Sequence, residues 1–94
     1  MADKIIQKKI FINGRVQGVA FRKYANQSAK KMGIAGFVKN QDDGSVYIEA
    51  EGQKEDLDLF IEWCHKGSPF SKVESVDIKD GAPYNYTSFD IIFD

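Results

Sequence analysis

A single cysteine, Cys64, stands among the 94 residues, so no disulfide closes within the chain. With no leader-like apolar stretch across residues 1–12, the expected setting is cytoplasmic or otherwise reducing. No apolar run approaches the ~20 residues that a membrane helix needs, so no membrane partner is expected. Neither sign of charge is in surplus: 13 Lys and Arg against 14 Asp and Glu leave a net charge of -1. A broad basic footprint for nucleic acid is therefore not expected, and any anion bound here is small and locally held. The one histidine, His65, adjoins Cys64 without two further ligands at suitable spacing, so no metal site and no cofactor are expected. Repeats, low-complexity tracts and linker-like shifts in composition are absent.

The residues that are present, 43% hydrophobic and 29% charged, suit one domain over residues 1–94, with a monomer as the default state. Ile6, Ile10 and Ile12 alternate along a first strand at residues 5–13. Phe21, Ala25, Ser28 or Ala29, and Met32 then repeat with helical spacing over residues 21–32, and Gly33 is a natural stop. Residues 37–41 and the run Val46, Ile48, Ala50 read as two strands around Asp42, Asp43 and Gly44, a hairpin signal in which a primed turn accepts positive φ. Leu57, Phe60, Ile61 and Cys64 form one stripe of a second helix at residues 53–66. Strands at 73–79 and 89–93 finish the chain. The order is βαββαβ plus a C-terminal strand, an α+β class with two helices on one face of a mainly antiparallel sheet: the ferredoxin-like α/β sandwich.

The stretch GRVQGVAFR at residues 14–22 carries the strongest chemical signal. None of the four residues before Phe21 (Gln17, Gly18, Val19, Ala20) is a strong helix cap, so the first N–H groups of the helix need other partners. Gly14 and Gly18 let the loop turn its amides toward one point, which would suit an oxyanion. Arg22 in the first turn faces the positive end of the helix dipole, costing about 0.3–1 kcal/mol unless an anion lies between them. Its planar fork suits two phosphoryl oxygens. The other reading is a turn shaped by glycine, with water on its amides and Arg22 as a solvated charge. The nucleotide P-loop pattern is not present.

GRVQGVAFR, followed by GFVKNQDDGSV at residues 36–46, EAEG at 49–52 and GSPFSKVESVDI at 67–78, closely resembles the acylphosphatase family over nearly the whole chain. The resemblance implies hydrolysis of small acyl phosphates, such as carbamoyl phosphate, 1,3-bisphosphoglycerate or phosphorylated aspartate side chains. It implies a phosphate-binding loop of Gly14, Arg15, Val16, Gln17, Gly18, Val19 and Ala20, with inorganic phosphate or sulfate as a product-like ligand. It makes Arg22 the arginine that holds the phosphoryl group and Asn40 the residue that positions the attacking water. Arg15 takes a lesser structural or substrate-facing part. Phe37 stands where Trp is frequent, Gln41 where Thr is frequent, and Phe93 with a trailing Asp94 where such chains often end at Tyr.

Asn40 by itself reads equally as a strand end or a brace for the following turn. Cys64 belongs to the core stripe and His65 to the end of the second helix. Glu49, Glu51, Glu55 and Asp56 read as a solvated strand edge and helix start, and Asp42 with Asp43 as too few carboxylates for a calcium loop. Two non-enzyme readings remain: a single-strand RNA binder that stacks bases on sheet aromatics, and a phosphate-sensing module like those at the N-termini of larger carbamoyl-handling enzymes.

Overall fold

Ile10 and Ile12, two residues apart on the first strand, are completely buried, and their face of the sheet receives both helices. The computed structural model describes residues 4–93, so the leader reading lies partly, and Asp94 wholly, outside the described residues. The elements are β1 (Ile6–Arg15), α1 (Phe21–Lys31), β2 (Ala35–Asn40), β3 (Val46–Gly52), α2 (Lys54–Lys66), β4 (Lys72–Gly81) and β5 (Phe89–Ile92). The sheet order is β4-β1-β3-β2-β5. All pairings are antiparallel except β2 with β5, which is parallel. The architecture is the α+β sandwich that the periodicity implies.

Ala25 and Ala29 of α1 and Leu57, Phe60 and Cys64 of α2 meet Val38, Val46, Ile48 and Ala50 in one core, all fully buried. Each large aliphatic or aromatic side chain removed from water there contributes about 1.5–3 kcal/mol. Burial also pushes the Cys64 thiol well above its ordinary pKa, as suits a core residue.

Three local details differ from the sequence reading. First, β1 runs on to Arg15 and is bulged between Asn13 and Gly14. Gly14 is required by close approach, because a Cβ there would lie 2.2 Å from the carbonyl oxygen of Lys72 on β4. Second, the β2–β3 connection through Asp42, Asp43 and Gly44 is not a primed turn. Gly44 N–H donates to Gln41 O, Gln41 N–H to Ser45 O, and only Gly44 of the loop has positive φ. Hydrogen bonds from the Ser45 hydroxyl and amide hold the Asp43 carboxyl below its usual pKa.

Third, Glu51 is not solvated: it is 3% exposed. Its carboxylate accepts from Gln7 Nε2 and from the amides of Tyr84, Asn85 and Tyr86, fastening the segment before β5 over the open face of the sheet. On that face Glu49 accepts from the hydroxyls of Tyr47 and Tyr86. Burial followed by these bonds to Glu49 raises both tyrosine pKa values. Phe37 meets Tyr47 and Tyr86 edge-on, so these rings pack against one another and do not form a free stacking platform.

Burial pushes the Glu51 pKa up, but the Tyr84 amide, Gln7 and the Tyr86 and Asn85 amides outweigh it, and the net direction is downward. A folded-state value below the unfolded one adds stability that is present above the ordinary carboxylate pKa of ~4.3 and is lost as pH falls through the folded value. Glu51→Gln is expected to be about 2–3 kcal/mol less stable at neutral pH, because hydrogen bonds to a buried charge are lost. It should also show a shallower fall in stability below pH ~4.3. Urea denaturation at several pH values checks this, and parallel pH curves for the two proteins would refute it.

Candidate active site

The polypeptide leaves β1 at Arg15 and enters α1 at Phe21, and the five residues between form a loop held by its side chains. Val16 and Val19 are buried and plug the loop into the core. Gln17 Nε2 donates to the carbonyls of Gln41 at 2.7 Å and Ser45 at 2.8 Å, tying the loop to the β2–β3 hairpin. The Ser68 hydroxyl, after α2, donates to Val19 O at 2.8 Å. Valine sockets, one amide tether and one hydroxyl tether therefore fix the loop from three directions.

Its own amides are left over. No hydrogen bond from the N–H groups of residues 17–21 to a protein acceptor is present among the described residues. The N-cap is Ala20, which makes no side-chain cap bond and has φ 60 and ψ 23, the left-handed region. A non-glycine residue held there costs about 1–2 kcal/mol, a strain that clusters where a loop must present its backbone. Gly18 has φ 73, and a Cβ on it would meet nothing within 4 Å, so this part of the loop faces open space.

That space is a cleft of ≈ 380 Å³ lined by Val16, Gly18, Ala20, Phe21, Arg22, Lys23, Asn40, Ile91 and Phe93. Arg22 comes from the first turn of α1. Its Nη1 donates to Ile92 O at 2.8 Å, and its guanidinium lies 5.3 Å from the centre of the Phe93 ring. The end of β5 thus positions it, and Asn26 Nδ2 holds α1 to the start of β5 through Phe89 O at 2.8 Å. Asn40 ends β2 on the helix-facing side, two residues beyond buried Val38. Its Oδ1 is buried and has no hydrogen-bond partner among the described residues. It does not brace the turn, which Gln17, Gln41 and Asp43 hold instead. A buried carbonyl oxygen without a donor costs about 1–3 kcal/mol, so its position favours a ligand or water that donates to it.

Arg22, Asn40, Val16, Gly18 and Ala20, all expected at the site, therefore line one cleft. The remaining four are not among its lining residues, although the Gln17 and Val19 amides have no acceptor among the described residues. Gly14 serves the bulge against β4, and Gln17 and Val19 act as tether and plug. Arg15 is exposed at the end of β1 opposite Lys72. The sequence reading missed Ile91 and Lys23 and noticed Phe93 only as an unusual ending. The adjacency of Lys23 to Arg22 was an available signal, whereas only the parallel β2–β5 pairing brings Ile91 alongside Val38.

No group of three or more His, Cys, Asp or Glu side chains that could hold a metal ion occurs among the described residues. Nor is any helix among them long and apolar enough to cross a membrane. The cleft has a donor-rich floor, one guanidinium and one carboxamide: equipment for gripping a small oxyanion and aiming a water at it.

Comparison with known proteins points the same way. The acylphosphatase family model matches residues 8–91. The chain is 42% identical over 82 residues to an acylphosphatase of Nocardioides sp., covering 87% of this chain and 83% of that one. It is 39% identical over 89 residues to an acylphosphatase of Archaeoglobus fulgidus, covering 95% and 100%. The crystal structure of acylphosphatase from Bacillus subtilis superimposes with a TM-score of 0.91 at 42% identity, covering 94% of this chain and 99% of that one.

Proposed function

The chain belongs to the acylphosphatase family and hydrolyses acyl phosphates, and from that premise we propose how its own residues divide the work. The phosphoryl group sits against the loop with its oxygens on the amides of residues 17–21 and on the Arg22 fork. Helix dipole, amides and guanidinium then act on one dianion, which removes the unfavourable placement of a cation in the first turn. Asn40 Oδ1 accepts a hydrogen bond from water and turns its oxygen toward phosphorus. A neutral carboxamide is a poor base, so it orients the water without taking its proton.

Water oxygen forms a bond to phosphorus as the bond to the acyl oxygen breaks, and that electron pair leaves on the carboxylate. The proton of the water passes to a phosphoryl oxygen, giving inorganic phosphate. A carboxylate whose acid has a pKa near ~4 leaves without protonation, so the cleft needs no general acid. Positioning and charge stabilisation are what remain to be supplied, and this cleft is built for both.

The observation that carries this assignment is the coincidence, in one cleft, of unpartnered amides at an uncapped helix start with the unpartnered Oδ1 of Asn40. Titration of the protein with inorganic phosphate tests it. The amide resonances of residues 17–21 should shift most, and phosphate should inhibit competitively with benzoyl phosphate. Shifts confined to another region would overturn the assignment of the loop.

A further inference from the structure

We propose that Lys23 recognises a second anionic group on the acyl portion of the substrate, so that the cleft favours acyl phosphates carrying a carboxylate or a second phosphate over neutral ones. The inference rests on the hydrolytic reading above and names the substrate class of the same cleft.

The first turn of α1 contains no acidic residue and places Arg22 and Lys23 side by side at the positive end of the helix. Binding a phosphoryl group accounts for one cation there; the second remains in an unfavourable field. Lys23 lines the cleft, is exposed, and has neither a hydrogen bond nor an ion pair with another described residue. Successive helical residues diverge by about 100°, so its ammonium does not converge with the Arg22 fork on the same oxygens. Arg22 is turned toward Ile92 O and the Phe93 ring, and Lys23 flanks it.

Ile91 and Phe93 give the cleft an apolar surface, and no carboxylate lines it among the described residues. A carbon skeleton has a surface to lie on, and a negative charge at its far end meets the Lys23 ammonium and, among the described residues, no carboxylate. The flexible stem and compact charge of lysine suit a group whose geometry varies, whereas the planar fork of arginine suits the fixed phosphoryl. The volume of ≈ 380 Å³ leaves room for more than a phosphoryl group and a water.

Benzoyl phosphate and its 3- and 4-carboxy derivatives form the test, since they share a leaving-group skeleton and differ in one distal charge. Lys23→Met should lower kcat/KM for at least one carboxy derivative about tenfold more than for benzoyl phosphate, chiefly through KM, at low ionic strength. Lys23→Arg should restore most of the difference, and 0.5 M salt should shrink it in the wild type, because an exposed charge pair is screened. An unchanged ratio between substrates in Lys23→Met overturns the inference while leaving the hydrolase intact. Failure of the wild type to release phosphate from benzoyl phosphate would instead strike the underlying functional assignment.

Discussion

Arg22→Ala is expected to lower kcat/KM for benzoyl phosphate by about 10³–10⁵, the range associated with losing a cation that stabilises a phosphoryl-transfer transition state. The loss has two parts. Without the guanidinium the dianion keeps only the loop amides, so KM rises; charge developing on the phosphoryl oxygens also loses its strongest partner, so kcat falls. Folding should survive. The Arg22 bond to Ile92 O is exposed, and the cation–π contact with Phe93 is worth about 0.5–1 kcal/mol at such a site. Thermal unfolding of the variant therefore separates a damaged site from a damaged fold. Arg22→Lys keeps the charge but not the fork, and its activity should fall between wild type and alanine. Phosphate release within tenfold of wild type in a folded Arg22→Ala protein would rule out the guanidinium as the phosphoryl grip.

Asn40→Ala carries the second largest effect, a fall of about 10²–10³ in kcat with KM and inhibition by phosphate little changed, comparable with removing one oriented polar group from a transition state. The split follows from its position. Asn40 touches no loop amide and its Oδ1 engages no described residue, so its removal leaves the anion cradle whole. For the same reason stability should hold, since truncation removes a buried polar atom that lacks a protein partner. Asn40→Asp is the sharper control. It is nearly isosteric and accepts hydrogen bonds, yet it places a negative charge beside a dianion and should raise KM as well. Wild-type turnover in Asn40→Ala would remove water positioning from its role, whatever the fold.

Much of this was legible along the chain because the signals are local. Alternation in β1, the 3.6-residue spacing of Phe21, Ala25 and Ala29, and the glycine after each helix are set by backbone geometry acting over a few residues. The absent cap before Phe21 is equally local, and the structure bears it out, with Ala20 in the left-handed region and no side chain on the amides. Glu51 shows where local reasoning fails. Its four donors lie 33 to 44 residues away in sequence, so nothing near it distinguishes a buried anchor from a solvated strand edge. Gly14 fails similarly. Its requirement comes from the backbone of Lys72 across the sheet, not from the loop that follows it.

Taken alone, the order of residues determined which segments become helix or strand, that α1 begins without a cap, and that Arg22 stands in its first turn, because hydrogen-bonding pattern and side-chain period depend on near neighbours. Tertiary structure decided that Asn40, Arg22 and the loop face one cleft, that Ile92 O and Phe93 set the guanidinium, and that Lys23 and Ile91 complete the walls. Those relations arise where β5 pairs in parallel with β2 and α1 packs across both. The contacts that create them join residues as far apart as Arg22 and Phe93, and they form only when burial of the shared core offsets the entropy of closing such loops.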